Sequence, residues 1–169
     1  AGDIIKKLPP EILKVGVFVD ESSDHINLNS LAYGISLIQL HGIEAPEYCA
    51  EMNLPVIKGF CISTEKDLPA IRSYAKVCQY ILLDARIPRI RGGTGQKFDW
   101  TLAIKSREYT KLPIILSGGL NPDNVEEAIR IVRPDVVNVA SGVEKEPGQK
   151  DHQKMKAFIE RAKKAFSLV

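Results

Sequence analysis

Ser117-Gly-Gly-Leu-Asn-Pro122 and Ala140-Ser-Gly-Val-Glu144 are the segments of this sequence whose residue types most directly offer chemistry. Each follows an apolar run that reads as a strand, and each places backbone N–H groups at a turn with no bulky Cβ in the way. Turns of this kind beside helix N-termini cradle phosphate, because unpaired N–H groups and the helix dipole both favour an anion. A tight strand-to-helix turn that needs positive φ would use the same glycines for structural reasons alone. Two such turns in consecutive final units favour the phosphate reading, with Gly118, Gly119, Ser141 and Gly142 as the candidate binding residues.

Asp84 closes the run Tyr80-Ile-Leu-Leu. A carboxyl at the rim of a buried strand is partly withdrawn from water and suits general acid chemistry near neutral pH; the plainer alternative is a strand-end Asp capping its own loop. That loop, residues 85–99, contains Arg91-Gly-Gly-Thr-Gly-Gln96 and ends where Asp99 can cap a helix beginning at Trp100. Loops of this length in a compact domain usually carry function, and a cover over the substrate is the simplest one. Gln39 and His41 flank Leu40 and so share one side of a strand, where they either line a site or plug its mouth. Neither His41 nor His152 has a spaced partner that would suggest a metal, and His25 reads as a solvated helix residue. Cys49, Cys61 and Cys78 fall in no metal spacing and read as free thiols packed as small core residues.

The elements that must position these residues alternate regularly. Apolar, β-branched runs at 14–20, 36–40, 55–60, 80–84, 113–117 and 135–140 read as six buried strands. Helical patterns fall at 25–33, 45–52, 65–75, 100–107, 122–132 and 151–166, with Asn121-Pro122 as the N-cap and first residue of the fifth. Strict alternation with continuous apolar strands implies a parallel sheet covered by helices. Six strands would complete an open doubly wound sheet, but no GxGxxG follows the first strand. The glycine turns follow the last strands instead, where eight-stranded barrels place their phosphate sites.

The 169 residues, 44% hydrophobic and 26% charged, have the composition of one globular domain. A formal charge of +2 from 23 scattered basic and 21 acidic side chains offers nucleic acid no footprint. Apolar runs fall far short of the ~20 residues of a membrane span, and no signal-peptide pattern opens the chain, so a cytoplasmic setting is expected.

Taken together, Gly16-Val-Phe-Val19, Ile38-Gln-Leu-His-Gly42, Leu82-Leu-Asp84, Gly92-Gly-Thr-Gly95 with Phe98-Asp-Trp100, Leu116-Ser-Gly-Gly-Leu-Asn-Pro122 and Ser141-Gly-Val-Glu144 resemble phosphoribosylanthranilate isomerase in order and spacing. The resemblance implies a (β/α)8 TIM barrel, a phosphosugar substrate and a role in tryptophan biosynthesis. It also implies an Amadori rearrangement of N-(5-phosphoribosyl)anthranilate without cofactor, by a monomer or homodimer. By resemblance Asp84 is the general acid. Gly118, Gly119, Ser141 and Gly142 hold the phosphate with Gly93 close by, and Asn138 falls where the family holds a sugar hydroxyl, while Gln39 and His41 stay candidate substrate-binding residues from their place on the strand. Asn138 stands where the family is expected to have an aspartate, and an amide can hydrogen-bond but not ionise. The family's general base, a cysteine in a Lys-x-Cys-Gly strand end, has no match among these residues. Cys61 ends a strand but has different neighbours. About six βα units are expected here, strands three to eight of the barrel in a single domain over 1–169, with the first two strands expected upstream. Competing readings are another phosphosugar barrel, such as indole-glycerol-phosphate synthase with Lys58 as a strand-end lysine, and an inactive phosphate-binding fragment.

Overall fold

The computed structural model describes residues 2–84 and 100–169. In chain order it contains α1 (Gly2–Ile5), β1 (Val15–Phe18), α2 (Ser23–Tyr33), β2 (Leu37–Leu40), α3 (Pro46–Ala50), β3 (Val56–Cys61) and a 3₁₀ helix at Glu65–Tyr74. There follow β4 (Tyr80–Asp84), α4 (Trp100–Ser106), β5 (Ile114–Ser117), α5 (Val125–Val132) and β6 (Val136–Val137). A 3₁₀ turn at Ser141–Val143, the strands β7 (Glu144–Glu146) and β8 (Gln149–Lys150), and α6 (His152–Phe166) complete the chain. Strands β1 to β6 form one parallel sheet in sequence order, curled as part of a barrel.

Strand periodicity sorts the core into two faces. One face carries Ile38 and Leu40 of β2, Val56 of β3, Ile81 and Leu83 of β4, and Ile114 and Leu116 of β5. These pack with helix residues such as Ile26, Leu102, Ala128, Ile129 and Phe158. The opposite face carries Leu37, Ile57, Leu82 and Ile115 with Tyr80, a cluster built from strand residues alone. Helices on one face only are what a barrel wall requires; an open doubly wound sheet has them on both. The residues that follow in the same alternation on the open face are Gln39, Gly59, Cys61, Asp84 and Ser117, so the fold itself delivers them to one rim.

Three expectations need correction. Asn121-Pro122 does not start α5: Asn124 is its N-cap. The Asn121 side chain instead accepts from Asp123 N–H, and that of Asn124 bonds Asn121 N–H and Gly119 C=O, which forms a turn ahead of the helix. The third helix is 3₁₀ throughout Glu65–Tyr74, with Pro69 inside it. Cys49 and Cys78 are buried, but Cys61 is exposed, since it ends β3 on the face that no helix covers. The β7–β8 hairpin was not expected either. Its strands are polar, and Lys150 Nζ reaches Glu144 Oε1 across it at 2.7 Å, holding that carboxyl below the usual range.

Candidate active site

Asp84 and Ser117 are register partners at the carboxyl ends of β4 and β5, and Asn138, just past β6, donates from Nδ2 to Ser117 Oγ at 3.0 Å. Beyond Ser117 the chain turns through Gly118 and Gly119 at φ 85° and 67°, a region that glycine enters without strain. Among the described residues neither N–H of this pair has an acceptor, so both donors are available to a ligand. The second turn packs directly on the first: a Cβ on Gly142 would lie 1.8 Å from Leu120 O. Lys150 Nζ, donating to Ala140 O at 2.8 Å, ties this second turn down from behind. Together Asp84, Gly118, Gly119, Asn138, Ser141 and Gly142 line one cavity of about 340 Å³. A carboxyl and two glycine turns thus share one space at the barrel rim, an arrangement that can bind an anion and donate a proton beside it.

Gln39 and His41 are not among the residues lining that cavity. They form a chain of polar contacts to it. Gln39 Nε2 lies 3.0 Å from His41 Nδ1, and His41 Nε2 lies 3.3 Å from Asp84 Oδ2. The His41 and Asp84 side chains are 16% and 20% exposed, so this contact is largely shielded from water. Gly93 and the rest of the 85–99 loop lie outside the described residues.

A buried ion pair beneath the same rim was not anticipated. Lys58 sits in the middle of β3, not at its end, and is 2% exposed. Its Nζ donates to Glu44 Oε2 at 3.1 Å, Gly42 O at 2.7 Å and Gly59 O at 3.1 Å, and the Phe60 and Tyr74 rings flank it at 5.5 and 5.9 Å. Glu44 also accepts from the N–H groups of Asp20 and Gly42, both at 3.0 Å. Burial alone would raise its pKa, but the N–H groups of Asp20 and of Glu44 itself, together with the Lys58 ammonium, outweigh burial and hold the carboxyl below its ordinary range. A lysine so enclosed cannot serve as a strand-end catalytic group. The signal for it was there: a lysine inside an otherwise apolar strand needs a buried partner. Among the described residues, no cluster of three or more His, Cys, Asp or Glu side chains is gathered that could hold a metal ion. No helix among them is long and apolar enough to cross a membrane.

Comparison with known proteins gives a consistent result. A model of the family described as N-(5'phosphoribosyl)anthranilate (PRA) isomerase matches residues 1–161. A Geobacter sp. (strain M21) protein of that name is 44% identical over 164 residues, which cover 97% of this chain and 78% of the relative. The crystal structure of phosphoribosyl anthranilate isomerase from Thermotoga maritima superposes with a TM-score of 0.83 at 42% identity, covering 96% of this chain and 78% of that one. A further structure of the enzyme, in complex with reduced 1-(o-carboxyphenylamino)-1-deoxyribulose 5-phosphate, gives a TM-score of 0.80 at 39% identity, covering 96% and 77%.

Proposed function

Because the chain belongs to the N-(5'-phosphoribosyl)anthranilate isomerase family, we propose that it converts N-(5-phosphoribosyl)anthranilate to 1-(2-carboxyphenylamino)-1-deoxyribulose 5-phosphate, with Asp84 as general acid and the two glycine turns as the phosphate cradle. The observation that carries the residue assignment is the shared cavity: Asp84 opens onto the same space as Gly118, Gly119, Ser141 and Gly142. With the phosphate held by the backbone donors of those turns, the sugar extends toward the carboxyl. Asp84 delivers its proton to the furanose ring oxygen as the C1–O bond breaks, and the nitrogen lone pair forms the iminium. Loss of the C2 proton to a base then gives the enolamine, which tautomerises to the ketone. None of residues 1–169 carries the family's Lys-x-Cys-Gly motif, and the base is not assigned to a residue of this chain. In this reading Asn138, whose Nδ2 donates to Ser117 Oγ, holds a sugar hydroxyl through its Oδ1. The enclosed state of Lys58 speaks against the lysine-dependent alternative.

Two substitutions in the full-length protein test the assignment separately. Asp84→Asn keeps size and hydrogen bonding but removes the ionisable proton, so kcat and kcat/KM should fall together by about 10²- to 10⁴-fold. Gly119→Asp places a carboxylate where the phosphate is proposed to sit and should raise KM. An Asn variant with kcat within a few-fold of wild type removes Asp84 from the acid role, and an unchanged KM in the Gly119→Asp variant removes the phosphate site.

A further inference from the structure

We infer that His41, fixed by Gln39 and admitted by Gly59, is the positioning residue that orients the Asp84 carboxyl for proton transfer; the inference rests on the reading of Asp84 as the acid. His41 follows β2, whereas Asp84 ends β4, so the side chains must meet across the whole width of β3. What permits this is Gly59. A Cβ there would come within 2.8 Å of His41 Nδ1 and 3.0 Å of its Cγ, so any side chain on β3 at this level would push the ring away. A glycine inside a strand weakens it and commonly marks a close approach by another group. Here the group is the imidazole, lying over the bare backbone with Nε2 3.3 Å from Asp84 Oδ2.

Gln39 decides which ring nitrogen carries the proton. Its side-chain amide nitrogen can only donate, and it lies 3.0 Å from Nδ1, so Nδ1 is the acceptor and the ring proton belongs on Nε2. Nε2–H is then the ring group nearest Asp84, with Nε2 3.3 Å from Oδ2. A ring N–H held beside Oδ2 favours the transferable proton of the acid on the other oxygen, Oδ1. The Gln39–His41 pair thereby selects both the rotamer of Asp84 and the oxygen from which the proton leaves. It does so without lining the substrate cavity.

The test uses the full-length protein, with steady-state kinetics, thermal unfolding and imidazole ¹⁵N NMR. His41→Phe, which fills the space but cannot donate, should lower kcat by about 10- to 100-fold, the effect of a reacting group displaced by about 1 Å. KM should stay within a few-fold. His41→Gln, whose amide can restore a donor near the Nε2 position, should recover most of the loss. Gly59→Ala, which leaves every polar group in place, should reproduce the kcat defect. In an Asp84→Asn background His41→Phe should add nothing, and wild-type His41 should show its proton on Nε2. If Asp84→Asn lowers kcat while His41→Phe and Gly59→Ala, both folded, leave it unchanged, the positioning role is wrong. It is equally wrong if His41→Phe acts through KM. If Asp84→Asn itself retains full kcat, the acid assignment fails first and the inference falls with it.

Discussion

A methyl group added to Gly142 would lie 1.8 Å from the carbonyl oxygen of Leu120, whereas one added to Gly119 would meet nothing within 4 Å. The two glycines of the proposed cradle are therefore required for different reasons, contact in one case and backbone conformation in the other. Gly142→Ala must force the second turn off the first, since the obstruction is backbone and cannot rotate away. Overpacking of this kind costs about 1–3 kcal/mol and should also raise KM for the phosphorylated substrate by separating the paired donors. Gly119→Ala meets only the strain of φ 67°, about 1–2 kcal/mol. Chemical denaturation with KM measured on both variants checks the distinction; equal KM values would mean that the turns do not act together. The glycine doublet and the lone carboxyl closing an apolar run were legible in the sequence because both signals are local. The need for glycine at position 59 was not, since the ring that excludes a side chain there arrives from another strand.

Loop 41–45 is held from below by one buried pair. Glu44 gathers the N–H groups of Asp20 and Gly42 and the Lys58 ammonium, while Tyr74 Oη donates to Glu44 O at 2.9 Å, so that the ends of β1 and β2 are tied to the middle of β3. Breaking such a pair from one side leaves an uncompensated buried charge. Lys58→Met should cost about 3–5 kcal/mol, and Lys58→Met combined with Glu44→Leu should recover much of it. Urea unfolding of the three proteins measures this, and a single variant no less stable than the double one would show that the pair is not what holds the loop. The pH dependence has a definite sign. The folded-state pKa of Glu44 lies below its unfolded value, so the unfolded chain binds more protons between the two. Its stabilisation is present above the unfolded pKa and is lost as pH falls through the folded one. Wild type should therefore lose stability in acid more steeply than the double variant. At this scale the six strands could be read directly, because each is a compact apolar run. Of the brace, the need for a partner was visible at Lys58 but the partner was not, because Lys58 and Glu44 belong to different elements and nothing local shows that they meet.

At the scale of the whole sheet, the two edges are unequal. β6 pairs through only Val136 and Val137, and a short edge strand offers little to a partner. β1 is longer, and on the open face it carries Val15 and Val17, followed by Val19, at 43%, 59% and 62% exposure. Among the described residues no strand pairs with its outer side. An apolar strand with a row of unpaired N–H and C=O groups templates pairing with another chain, and natural sheets suppress this by covering the edge or placing lysine on it. Nothing in β1 supplies the second device, since Lys14 precedes the strand and Val-Gly-Val-Phe carries no charge. The 169-residue chain studied alone should self-associate through this edge. Val17→Lys keeps the backbone unchanged and puts a charge in the middle of the exposed row, where it should shift the population toward monomer. Val136→Lys at the short edge should have less effect. Sedimentation velocity over a range of concentrations separates these outcomes: a wild-type chain that stays monomeric throughout, or one whose association Val17→Lys leaves unaltered, would remove β1 as the sticky edge. Because Val17 is the register partner of Gln39, the lysine would also stand beside the Gln39–His41–Asp84 contacts. Association should therefore be read in the isolated chain, and turnover in the full-length protein.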